Sequence, residues 1–163
     1  MNIVSMMPKL KEELRTIFND YGLKYVFDTN SQEIKVMKEK KPGEIFLIPF
    51  HSIADTLQRM IFYKAAIESN SESALVFEEP EAHSYPPFIP KVTQDIIQSD
   101  RNQFFITTHS PYVVNDFLEL PSDQLAIYLV DFRNGETFVK RASDTEVQEM
   151  YEYGIDLFFN TET

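Results

Sequence analysis

The residues best able to do chemistry in this chain of 163 residues lie in two short runs, ALVFEEPEAHSYPPF at 74–88 and QFFITTHSP at 103–111. In the first, four mostly apolar residues give way to Glu78, Glu79 and, after Pro80, Glu81. A carboxylate at the tip of a buried strand is partly desolvated and must meet a cation, hydrogen-bond donors or a proton. Neighbouring side chains on a strand point to opposite sides. One acid can then hold a hydrated Mg²⁺ while the other orients or activates a water, the division of labour that phosphoryl transfer requires. In the second run an apolar strand ends in Thr107, Thr108, His109 and Ser110, which could reach the same crevice. Taken singly, these features have plain structural explanations: acids solvated beyond a strand, a histidine satisfied in a loop. Together, about 30 residues apart, they are far more specific.

Such residues need a scaffold, and the chain spells one out. Leu10, Leu14, Ile17 and Phe18 recur at helical spacing before Gly22, predicting a helix over 8–21. LKYVFD at 23–28 and EIKVMK at 33–38 flank Thr29-Asn30-Ser31 and predict an antiparallel hairpin, and EIFLIPF at 44–50 is a further apolar run. Ile53, Leu57, Met60, Ile61, Tyr63 or Lys64, and Ile67 mark one face of a helix over 52–69. Strands at 73–79 and 102–110, a helix at 87–98 and another beginning at Pro111 follow. QLAIYLVDF at 124–132 and ETFVKR at 136–141 flank Arg133-Asn134-Gly135, a hairpin turn signal. The tail is expected to be helical at its start. Strand and helix alternate from residue 44 onward, which predicts an α/β fold with a mostly parallel sheet, helices on its faces and an antiparallel hairpin at one edge. In such sheets ligands gather at the carboxyl ends of the strands, where Glu78 and Glu79 fall.

Composition narrows the function classes. Lys and Arg number 15 against 26 Asp and Glu, a net charge of −11, so direct nucleic-acid or anionic-membrane binding is not expected. The absence of cysteine excludes disulfides, thiolate metal sites and cysteine nucleophiles. No segment approaches the ~18 uninterrupted apolar residues of a membrane span, and the N-terminus lacks the pattern of a secretory signal. A single cytoplasmic domain is the expectation, with 1–43 an N-terminal helix and hairpin of unassigned role, 44–141 the chemical core and 142–163 a tail.

At LVFEEPEAHSYPP and FFITTHSPYVVNDF the chain resembles the ATPase domains of the ABC-type class of P-loop NTPases. The likeness is strongest to the bacterial AAA-like ATP-binding proteins related to the ATPase part of OLD-family nucleases. In that group an apolar strand ends in Asp-Glu-Pro-Glu, the Walker B motif, and a later strand ends in Thr-His-Ser-Pro, the switch histidine. The resemblance implies that Glu79 positions the attacking water, that Glu78 is the Mg²⁺-side acid, and that His109 senses the γ-phosphate, with Thr108 and Ser110 beside it. It also implies ATP and Mg²⁺ as cofactors. A weaker match places HSIADTLQRMIFYKAAI over the family's signature segment, with Ser52 or Asp55 near the signature positions and Thr56, Leu57 and Arg59 in register. The signature glycine is replaced there. Asp55 would bring negative charge toward a triphosphate, and its alternative role is a helix N-cap.

Two departures matter. Glu78 stands where the family usually has Asp. No GxxxxGK[ST] phosphate cradle occurs in the sequence, whose glycines are at 22, 43, 135 and 154. The chain thus reads as the carboxyl-terminal half of an ATPase core, and three readings follow. It contributes Walker B and switch histidine to an ATPase whose P-loop comes from another segment or chain; it is a catalytically degenerate homologue serving as an interaction or oligomerisation module; or it is a metal-dependent hydrolase using Glu78, Glu79, His83 and His109. A half sheet exposes edges that invite pairing, so a homo-oligomer or a P-loop-bearing partner is expected.

Overall fold

The computed structural model describes residues 8–84 and 86–153. The chain begins with helix α1 (Pro8–Asp20), whose Leu10, Leu14 and Phe18 are fully buried at the predicted spacing. Three antiparallel strands follow, β1 (Lys24–Asp28), β2 (Glu33–Lys41) and β3 (Glu44–Pro49), in the order β1-β2-β3. The β1–β2 turn is fastened by Asp28, whose Oδ1 accepts the Asn30 and Ser31 amides while Oδ2 pairs with Lys35 at 2.6 Å. Gly43, at φ +83°, makes the β2–β3 turn that a side chain would strain.

Helix α2 (Asp55–Ser69) is the spine of the molecule. Its Leu57, Met60 and Ile61 complete a core with α1 and with Ile34 and Val36 of β2. Its Tyr63 and Ile67 enter a second core with Phe77, Val92, Ile96, Val113 and Phe117. The second core lies under a parallel pair, β4 (Ala74–Glu78) and β5 (Gln103–Thr107), in direct register from Ala74 opposite Gln103 to Glu78 opposite Thr107. Helices α3 (Ile89–Ile97) and α4 (Pro111–Phe117) supply the rest of its cover.

Beyond α4, strands β6 (Tyr128–Arg133) and β7 (Glu136–Arg141) form a hairpin closed by Asn134 at φ +53° and Gly135 at φ +85°. That is the turn chemistry the Asn-Gly pair encodes. Helix α5 (Asp144–Tyr153) ends the described chain, and Met150 packs with Leu118 and Ala142 in a third small core.

The predicted mixture of a parallel sheet, helices and antiparallel hairpins is present. Pairing adds what order alone could not specify. The run at 44–49 opens the strand-helix alternation, yet it pairs antiparallel with β2. The parallel ladder is the β4–β5 pair, and the β6–β7 hairpin forms a sheet of its own. Among the described residues no helix is long and apolar enough to cross a membrane.

Candidate functional site

The carboxyl ends of β4 and β5 are adjacent because the strands are parallel and paired without offset. Glu78 is the last residue of β4, on the exposed side of the pair with Ala74 and Val76. Glu79 does not continue the alternation. Its φ of +42° turns the chain sharply, so the two acids diverge through a turn and not through strand pleating. A left-handed conformation in a non-glycine residue costs of order 1–3 kcal/mol and persists where surrounding bonds impose it. Here the Glu79 amide donates to the Thr107 carbonyl at 2.8 Å, and the Glu79 carbonyl accepts the Ala82 amide at 2.9 Å.

That turn brings the Glu79 carboxylate to His109, with Oε1 3.1 Å from Nδ1. A protonated ring pairs with the Glu79 carboxylate across this distance, and its second nitrogen stays open to a ligand. Thr108 and Ser110 bracket the histidine. The Thr108 hydroxyl donates to Glu81 Oε1 at 2.5 Å and accepts the Ser110 amide at 3.0 Å. Ser110 is the N-cap residue of α4 with extended backbone, and Pro111 opens the helix.

Ser52 and Asp55 stand in a different place. Ser52 closes a short 3₁₀ turn, Phe50–Ser52. Asp55 is the first residue of α2, with Ala54 at the cap position, so the N-cap role considered for it is not the one it takes. Its carboxylate meets Arg59 at 3.2 Å, one turn on. The connection between this segment and the strand ends runs through Thr56, whose hydroxyl donates to the His83 carbonyl at 3.1 Å. His83 itself sits at φ +57° with an exposed side chain. The expected packing of His83 near Tyr85 falls outside the described residues.

Among the described residues no three or more His, Asp or Glu side chains are grouped to hold a metal ion. Glu78, Glu79, His83 and His109 therefore do not converge as the ligand set of a metal-dependent hydrolase. A Mg²⁺ that takes most of its ligands from phosphates and water needs only one or two carboxylates, and Glu78 at the strand end fits that lesser demand.

Sequence reasoning named Glu81 and Thr56 but gave neither a role; they are two side chains that tie the loop after β4 to its neighbours. The signal for Glu81 was its place two residues after Glu79 in the same acidic run; for Thr56, its place in the first turn of a helix aimed at the site. It also missed the ionic knot behind the site. Lys64, buried on α2, contacts Asp95 of α3 at 2.6 Å and Glu13 of α1 at 3.2 Å. Burial pulls the Lys64 pKa down, but the bond and attraction to Asp95, helped by Glu13, outweigh it and hold the ammonium charged.

A family model described as "AAA domain, putative AbiEii toxin, Type IV TA system" matches residues 8–115. A solved chain from work described as "Structural biochemistry of ATP-driven dimerization and DNA stimulated activation of SMC ATPases" superposes with a TM-score of 0.58 at 14% identity. The alignment covers 92% of this chain and 93% of that one. No curated protein matches.

Proposed function

The chain belongs to this AAA-domain family, and from that premise we propose that it forms the water-positioning and phosphate-sensing half of an ATP-hydrolysing site. The observation that carries the reading is the contact of Glu79 and His109 at 3.1 Å, at the carboxyl ends of two parallel strands. Mg²⁺ bound with ATP would offset charge on the phosphates, and Glu78 is the residue of this chain that would share in holding it. Glu79 orients the attacking water and draws on its proton. His109, with one nitrogen beside Glu79, offers the other to the γ-phosphate. Thr108 and Ser110 fix the backbone on either side of it, while Ser52 and Asp55 stand apart from the pair, before and at the start of α2. The phosphate cradle comes from another segment or chain.

The test is calorimetry with ATP and Mg²⁺ on the chain alone and on the chain mixed with a P-loop-bearing partner. Tight binding and turnover are expected in the mixture only. In that mixture Glu79→Gln should abolish turnover and spare binding; loss of both would show that Glu79 has a different role.

A second reading draws on a separate observation. Val76 of β4 and Phe105 of β5 are 72% and 52% exposed on the face away from the helices. An apolar strand face of this kind suits a chain that works by pairing with a copy of itself or with another protein. The SMC ATPases of the superposed structure are described as dimerising under ATP, and the analogous event is proposed for this chain. Light scattering that finds a clean monomer at high concentration, with and without nucleotide, would defeat self-pairing.

A further inference from the structure

We propose that Glu81 is a positioning residue, whose carboxylate clamps the 107–110 turn to the loop after β4 and so sets Glu79 and His109 at contact distance. Its catalytic meaning rests on the ATPase reading above; the clamp itself stands on geometry.

Neither member of the Glu79–His109 pair is held by packing. Their side chains are 40% and 70% exposed, and Glu79 occupies a backbone conformation that only external bonds maintain. The fixing must come from the residues around them. On the β5 side, the Ser110 amide donates to Thr108 Oγ1 at 3.0 Å, which commits the Thr108 proton to Glu81 Oε1 at 2.5 Å. The result is a directed chain, amide to hydroxyl to carboxylate. Such chains polarise each bond along their length, and a bond ending on a carboxylate is about twice as strong as a neutral one. It passes from one side of His109 to the other and ends two residues from Glu79. On the β4 side the loop is held by the Glu79 amide on Thr107 and by Thr56 on the His83 carbonyl. Glu81 is thus the side chain through which the loop after β4 grips the residues flanking His109.

The second Glu81 oxygen, Oε2, is buried and meets no hydrogen-bond partner among the described residues. This distinguishes the clamp from a generic surface bond, because an enclosed carboxylate has little alternative to the Thr108 hydroxyl. Glutamine can keep the Thr108 bond through its own oxygen, whereas leucine cannot.

Amide hydrogen exchange on the full chain, followed by NMR, tests the clamp without nucleotide. Glu81→Leu should speed exchange at the Ser110 amide by about tenfold, the equivalent of one lost hydrogen bond, with Phe77 and Phe105 of the strands unchanged. Glu81→Gln should restore most of the protection. Thr108→Val breaks the same bond from the other end and should loosen the Ala82 amide, which keeps the inference testable if Glu81→Leu does not fold. Unchanged Ser110 and Ala82 exchange, or acceleration spread evenly over the strands, would overturn it. In a hydrolysing mixture, Glu81→Leu should lower kcat with KM held, and Glu81→Gln should recover it. Absence of nucleotide binding would sink the ATPase reading while leaving the exchange result intact, and normal kcat in Glu81→Leu would sink the positioning role alone.

Discussion

Both faces of the β4–β5 pair carry apolar side chains, and the two meet different surroundings. Leu75, Phe77, Phe104 and Ile106 pack into the second core beneath α2, α3 and α4. Phe77 is 5% exposed and stands edge-on to Tyr63, with ring centroids 4.9 Å apart. On the other face Val76 and Phe105 are bare. Parallel strands are ordinarily covered on both sides and read as near-continuous apolar runs. ALVF and FFI are such runs, so this strand pair has the composition of a doubly covered sheet with cover on one side. That difference supports the proposal that another chain or segment completes the site, and under that proposal the contact would fall on the face that carries Glu78.

The sharpest way to break this comparison is to truncate a side chain on each face. Phe77→Ala should cost about 3–5 kcal/mol in urea unfolding, the range for a buried aromatic. A loss below 1 kcal/mol would mean that the helix-covered face is not a packed core. The ionic knot behind the same helices comes next. Lys64→Met leaves Glu13 and Asp95 facing each other without the ammonium that pairs them, and should cost about 3 kcal/mol; restoration by the added change Asp95→Asn would show that the loss is electrostatic.

A smaller effect lies at α5, where pH is the lever. Lys140 first, then the amide and hydroxyl of Ser143, hold Glu146 well down, from 4.5 to about 2. A depressed carboxylate contributes stability that is complete above its unfolded value and disappears as pH falls through its folded one. Protection of the α5 amides should therefore hold above pH 4.5 and fade toward pH 2, and Glu146→Gln should remove that dependence. At the small end, Val76→Thr on the bare face should change stability by less than about 0.5 kcal/mol. Its consequence should appear in association instead: Val76→Lys with Phe105→Lys should weaken partner binding or self-pairing, measured by light scattering, with unfolding little altered.

The helices and hairpins were legible because each is coded locally. The face predicted for α2 included Tyr63 or Lys64 as alternatives, and both are buried, the lysine because Asp95 and Glu13 receive its charge. Glu79 and His109 could be singled out since each ends an apolar strand. What periodicity could not supply was pairing. Nothing in EIFLIPF distinguishes a strand beside β2 from one beside β4, since apolar runs of this length suit either position. The left-handed turn at Glu79 was hidden for a related reason: its φ is imposed by a bond to Thr107, a residue remote in sequence. The start of α5 was more legible than it was read, because Ser143-x-x-Glu146 is a capping box whose reciprocal bonds are formed at 2.7 and 3.3 Å.

Helix α2 gives the molecule a mechanical character. Its 15 residues make a rod about 22 Å long, gripped near its start by the core shared with β2 and farther along by the core under β4 and β5. Its leading end carries Thr56, bonded to the carbonyl of His83, and so the helix that packs against the three-stranded sheet also fastens the loop beside Glu79. The antiparallel sheet, which bears none of the reactive side chains, is thereby joined to them through a single helix.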